Sequence, residues 1–211
     1  MFPKKHWTPR YIACRLALVW YGKRHPDDPW LPRGAISLLS DWLRKTDQGV
    51  EWGSGRSTAW IASRTAKLTS IEHHPAWHEK VKQTLADNGL ANVDYRHVPA
   101  DPDDPGSPDH PYVAAAASLQ RGGLDFALVD GLMRDHCMLL AMDLLKPGGL
   151  LILDNANWYV PHATHCPVSL GAEGKPKTDA WGRALTALSS WRMIWVTDGV
   201  TATFFTVKPP A

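Results

Sequence analysis

The stretch Gly49-Val50-Glu51-Trp52-Gly53-Ser54-Gly55-Arg56-Ser57-Thr58, read with Glu72, constrains this chain more than any other segment. A short strand enters a glycine turn, the turn opens a helix, and an acid follows 17 positions after the second glycine. In a doubly wound α/β sheet that order builds a nucleotide site. Gly53 and Gly55 let backbone approach a ligand closely, with Ser54 between them and Ser57 at the helix start. Glu72, at the end of the next strand, is placed to accept hydrogen bonds from ribose hydroxyls. Charge-assisted bonds of this kind contribute roughly 1.5–3 kcal/mol each.

Two positions separate a dinucleotide from S-adenosylmethionine (SAM). The dinucleotide pattern wants a third small residue where this chain has Thr58. A pyrophosphate on a helix N-terminus also wants positive potential, and Glu51, two residues before the first glycine, opposes it. SAM carries a sulfonium and an ammonium and no phosphate. An acid at the mouth of the turn suits that ligand, so Glu51, Gly53, Ser54, Gly55, Ser57, Thr58 and Glu72 are expected to hold SAM.

The rest of the chain supports a parallel sheet with helices on both faces. Strands are expected at Val50, 67–71, 93–98, 126–129 and 150–153, with helices at 57–65, from Pro75 to Asn88, and at 137–145. Met193 to Val196, Asp198-Gly199 and Thr201 to Val207 read as a closing β-hairpin. The fold class is therefore α/β, a doubly wound, mostly parallel seven-stranded sheet ending in an antiparallel hairpin. Residues 1–47 are expected to form a helical cover, with helices at 12–21 and 35–43, over a single compact unit at 48–211. Residues 99–111, rich in proline and aspartate, and 155–178, without periodicity, are expected loops. The second loop follows the fifth strand, so it should shape an acceptor pocket, with Trp158 and Tyr159 as candidate walls.

Composition narrows the partners. With 211 residues, 21% charged and a net charge of +2, the chain has no broad basic face for nucleic acid. Lys4, Lys5 and Arg10 make only a small basic cluster, no apolar run is long enough to span a membrane, and the first residues do not read as a secretory leader. Cys14, Cys137 and Cys166 are odd in number and widely spaced, which fits reduced cytoplasmic thiols. A homo-oligomer is left open.

Glu51 to Thr58, Thr69-Ser70-Ile71-Glu72-His73, Val129-Asp130-Gly131 and Leu145-Lys146-Pro147-Gly148-Gly149-Leu150 resemble the successive motifs of the class I SAM-dependent methyltransferases. The resemblance runs from about residue 48 to the C-terminus. It implies methyl transfer from SAM and an adenine contact after the third strand, at Asp101, with His73 flanking the base. It also implies that Asp130 closes the fourth strand beside the methionine moiety.

Asp130, Asp154 and Asn155 close neighbouring strands, and three oxygen donors there could hold Mg²⁺. The set resembles the metal triad of catechol-type O-methyltransferases. That family places a lysine base three residues after the first Asp, where this chain has Met133 followed by Arg134. Arginine stays protonated and cannot be a base. Arg134 is then expected to clamp an acidic acceptor or to pair with a carboxylate, and His136 is the remaining candidate base. His162, His165 and Cys166 lack a fourth ligand for zinc. The expected function is O-methylation of a small-molecule acceptor, with Asp130, Arg134 and His136 in the catalytic roles. Three alternatives stand beside it: a nicotinamide-dependent oxidoreductase, a silent SAM-binding interaction module, and methylation of a protein or nucleic acid.

Overall fold

The computed structural model describes residues 7–210. Lys4, Lys5 and the opening residues read above for a leader lie outside the described residues.

The chain runs α1 (Pro9–Arg24), α2 (Arg33–Trp42), β1 (Gln48–Trp52), α3 (Arg56–Ala62), β2 (Lys67–Glu72), α4 (Pro75–Asp87) and β3 (Val93–His97). It continues through α5 (Pro111–Ala114), β4 (Leu124–Val129), α6 (Arg134–Leu144), β5 (Leu145–Leu153), α7 (Asp179–Leu188), β6 (Arg192–Thr197) and β7 (Ala202–Val207). Seven strands form one sheet in the order β3-β2-β1-β4-β5-β7-β6. The first five are parallel; β7 runs antiparallel between β5 and β6, as the hairpin pattern required.

The central strands are apolar on both faces, as burial under two helical layers demands. Val50, Trp52, Ala127, Val129, Leu151 and Leu153 face one core, shared with α6 and α7. The alternate residues Phe126, Leu128, Leu150 and Ile152 face the other, where Ala35, Ile36 and Leu39 of α2 and Trp60 and Ile61 of α3 pack. Burying one such side chain contributes about 1.5–3 kcal/mol. α1 contributes no buried residue; it packs at the rim, where Gly199 of the β6–β7 tip meets Cys14.

Several elements differ from the sequence expectation. α1 starts at Pro9, because Thr8 caps it and proline fits the first turn. α6 starts at Arg134, three residues early, after Met133 in the left-handed region. α7 went unread because it follows a long aperiodic loop, yet Thr178 caps it and Ala180, Trp181, Ala184 and Leu188 form its buried stripe. The Lys146-Pro147-Gly148-Gly149 turn is absorbed as an irregularity of β5, whose pairing with β4 shifts register between Leu124 and Phe126.

The turns after β1 and β4 interlock. Gly53 has φ +91°, and a Cβ there would lie 2.6 Å from the Gly131 nitrogen. A Cβ on Gly131 would in turn lie 2.9 Å from the Gly53 nitrogen. Gly53→Ala should therefore lower stability by at least ~1–3 kcal/mol from backbone strain alone. Urea unfolding midpoints check this, and a midpoint within error of the parent would contradict the interlock.

Candidate functional site

The strand order reverses between β1 and β4, and ligands of open α/β sheets bind outside the strand ends at such a point. Two backbone bonds carry the sheet past its strand ends and fix the turns there: Gly53 N–H to the Ile71 carbonyl and Asp130 N–H to the Trp52 carbonyl, each 2.9 Å. A cleft of about 430 Å³ opens above them. Gly53, Ser54, Glu72, His73, Trp77 and Asp130 line it.

Glu72 is held by four protein donors. Its Oε2 accepts from the Ser54 N–H (2.9 Å) and hydroxyl (2.7 Å). Its Oε1 accepts from the N–H groups of His73 (2.9 Å) and His74 (2.8 Å). The carboxylate thus ties the glycine turn to the end of β2. The Ser54 hydroxyl also lies 2.7 Å from the Tyr95 hydroxyl, so it can turn away and leave one Oε2 position for a ligand. The His73 ring stands 3.1 Å from Glu72, and burial lowers its pKa against the pull of that carboxylate.

Glu51 is fully enclosed, below the mouth of the turn. It accepts from the hydroxyls of Ser57 (2.5 Å), Thr58 (2.7 Å) and Ser70 (2.8 Å). The Gly55 N–H donates to Thr58 Oγ1 at 2.9 Å, so Thr58 links the turn to Glu51. That link explains a threonine at the position that disfavoured a dinucleotide. Burial pushes the Glu51 carboxyl up to about 7 against the pull of the three hydroxyls. Ser70 was missed in the sequence, although it is a polar residue in a buried strand, paired in register with Glu51.

Arg134 joins the ends of β4 and β5. Its Nε donates to the Gly131 carbonyl at 2.9 Å. Nη1 donates to the Asp154 carbonyl (2.5 Å) and Asn155 Oδ1 (3.3 Å), and Nη2 to the carbonyl (2.5 Å) and Oδ1 (3.0 Å) of Asp130. A guanidinium has five N–H donors, and all five are engaged.

A family model for a methyltransferase domain matches residues 50–156, just over half of the chain. The chain belongs to this methyltransferase family. No curated protein matches it. Among solved structures, a methyltransferase from Geobacter sulfurreducens is similar with TM-score 0.57 and 15% identity, covering 93% of this chain and 89% of that one. A candidate methyltransferase from Streptococcus mutans, solved with S-adenosylhomocysteine (SAH), has TM-score 0.57 and 12% identity, with coverages of 82% and 94%. An rRNA methylase from Streptococcus thermophilus has TM-score 0.54 and 14% identity, with coverages of 83% and 93%. At these identities the likeness is one of fold.

In this methyltransferase the expected Mg²⁺ triad converges on a cation that is already covalently present. Arg134 bonds to the Asp130 carboxylate, the Asn155 side-chain oxygen and the Asp154 backbone. Asp154 turns its own Oδ1 to the Thr203 hydroxyl at 2.7 Å, and burial together with Asp130 raises its pKa to about 7. A second cation among these groups would meet the guanidinium. The residues do not fit a divalent metal, and among the described residues no cluster of three or more His, Cys, Asp or Glu could hold one.

The other expected residues are dispersed. Asp101 is exposed and orders its own turn by accepting from Asp103 N–H at 2.9 Å. His136 does not line this cleft; its N–H is bonded to Asp135 at 3.0 Å. Cys166 is taken up by Thr164 and Thr197, and His162 stacks on Trp195. Trp77 was missed: its indole donates to the Ser54 carbonyl at 2.7 Å and walls the cleft, a contact that only the fold brings about. Trp158 walls a neighbouring cleft, whereas Tyr159 stacks on Trp181.

Two outcomes follow. Unfolded Glu51 ionises near its ordinary 4.5 and folded Glu51 near 7, so the native state holds the extra proton between those values. Its contribution falls by ~3 kcal/mol as pH rises through that window, at about 1.4 kcal/mol per pKa unit. Glu51→Gln should flatten the fall of urea midpoints between pH 5 and 8, and an unchanged slope would contradict the buried carboxyl. Arg134→Leu should lose about 3 kcal/mol by stranding Asp130 and three carbonyls. Arg134→Lys, with three donors, should recover only part of that loss; full recovery would contradict the five-bond clamp.

Proposed function

We propose that this methyltransferase binds SAM in the cleft between β1, β2 and β4 and transfers its methyl group to an oxygen of a small-molecule acceptor. The observation that carries the reading is the chemistry of the cleft lining: two carboxylates, Glu72 and Asp130, and no lysine or arginine. That lining suits a cationic sulfonium ligand and disfavours a diphosphate, which argues against the nicotinamide alternative. Gly55 adds support. Its φ of 177° is open to any residue, and a Cβ there would meet only Ser57 Oγ at 3.9 Å, so nothing inside the protein asks for glycine. A ligand approaching the backbone would.

In this reading Glu72 accepts from the ribose after the Ser54 hydroxyl turns to Tyr95. Asp130 faces the ammonium of the methionine moiety, and Trp77 and His73 flank the adenine. Arg134 is a positioning residue. It holds Asp130 and Asn155 at fixed points on the two sides of the transfer path. With no lysine base, the rate comes from alignment of an acceptor oxygen with the sulfonium, and the fixed positive charge beside Asn155 favours an ionised oxygen.

Isothermal titration of the purified chain checks this. SAH should bind with a dissociation constant in the micromolar range or tighter, NAD⁺ and NADP⁺ should not bind, and EDTA should leave SAH affinity and methyl transfer unchanged. Glu72→Gln should weaken SAH by at least about tenfold, the loss of one charged hydrogen bond. Binding of a nicotinamide dinucleotide in place of SAH would overturn the reading.

A further inference from the structure

A second cleft, of about 480 Å³, lies beside the first. Residues of α1, the segment from Asp28 to Leu31, Arg56, Trp158 and the β6–β7 tip line it. The volume is that of an ordinary small-molecule pocket. The two clefts adjoin at two places. Asn155 lines the second, Asp130 lines the first, and Arg134 bonds to both side chains, at 3.3 and 3.0 Å. Trp30 of the second cleft also packs on Trp77 of the first, with ring centroids 5.8 Å apart.

The charges of the second cleft are unevenly committed. Asp28 accepts from the Tyr21 hydroxyl at 2.6 Å and lies 3.8 Å from the His25 ring. Asp198 accepts at Oδ1 from the N–H groups of Val200 (2.8 Å) and Thr201 (2.9 Å), and its Oδ2 is buried with no hydrogen-bond partner. Arg15 and Arg56 line the same space, and among the described residues neither has a carboxylate partner. The Arg56 guanidinium rests over the Trp30 ring, 5.2 Å from its centroid. Trp30 is 65% exposed, a large apolar surface to leave facing water at the edge of a cleft. Two uncommitted guanidiniums beside flat aromatic walls are complementary to a flat ligand that carries an anion.

We propose that this second cleft takes the methyl acceptor, and that the acceptor is a planar aromatic acid. Arg15 and Arg56 bind its anionic group, and Trp30 and Trp158 wall its ring. The proposal deepens the methyl-transfer reading and rests on it. A carboxylate and a phosphate offer the same chemistry to the two guanidiniums, and the test separates them.

The test is isothermal titration of the full chain, with and without saturating SAH. The probes are 4-hydroxybenzoate, 4-hydroxycinnamate, their methyl esters, phenyl phosphate and a short single-stranded RNA. At least one anionic probe should bind at least tenfold tighter than its uncharged counterpart, and the better of carboxylate and phosphate names the anion. Arg15→Ala and Arg56→Ala should each erase about tenfold of that preference. Arg15→Ala, on a rim helix with no buried residue, should leave the unfolding midpoint and SAH affinity unchanged within twofold. Equal binding of acids and esters, acid binding that survives both substitutions, or binding of RNA with none of the acids, would each overturn the proposal. Failure of SAH itself to bind would overturn the methyl-transfer reading, and the SAH-free titrations report on the acid site separately.

Discussion

Two glycine turns that close over each other set the geometry of this methyltransferase. Gly53 and Gly131 meet backbone to backbone, and a methyl group on either would collide with the other turn. β1 and β4 are adjacent at the centre of the sheet, so their turns must diverge from one line to opposite faces. The cleft is the space left by that divergence. Its position follows from strand order, and its depth follows from the absence of side chains at the two crossing points. Glu72 ties one turn to β2 and Arg134 ties the other to β5, so the central four strand ends form one braced edge.

Charge along that edge is largely enclosed by the protein's own donors. Glu51 has three hydroxyls, Glu72 four donors, and Asp154 the Thr203 hydroxyl. Burial of a carboxylate demands such partners. Arg134 balances the carboxylate of Asp130 from within the chain. A divalent ion bound among Asp130, Asp154 and Asn155 would have to displace the guanidinium from those oxygens. Arg134 therefore makes a brace of these oxygen groups rather than a metal site.

The sheet, the closing hairpin and the glycine turn were legible because each depends on local pattern: apolar runs, glycine at crossing points, a tight turn. Glu72 was legible from its spacing to Gly55. What sequence spacing could not supply was direction. Glu51 was expected at the mouth and lies beneath it, because Ser70, remote in sequence, meets it across the strands. Arg134 was expected to clamp an acidic acceptor or to pair with a carboxylate; it pairs with Asp130, and its remaining donors close on the backbone and Asn155 of the neighbouring strand ends. Asp101 and His136 were placed by order along the chain, and neither lines either of these two clefts. Trp77 at the first cleft, and Arg15 and Arg56 together in the lining of the second, arise only when separate elements pack together.

A crystal structure of the chain with SAH tests the central claim most directly. The ribose hydroxyls should lie within hydrogen-bond distance of Glu72 and the sulfur at the border with the second cleft, near Asn155. SAH lying elsewhere, with the Gly53–Gly131 crossing unoccupied by its methionine moiety, would contradict it.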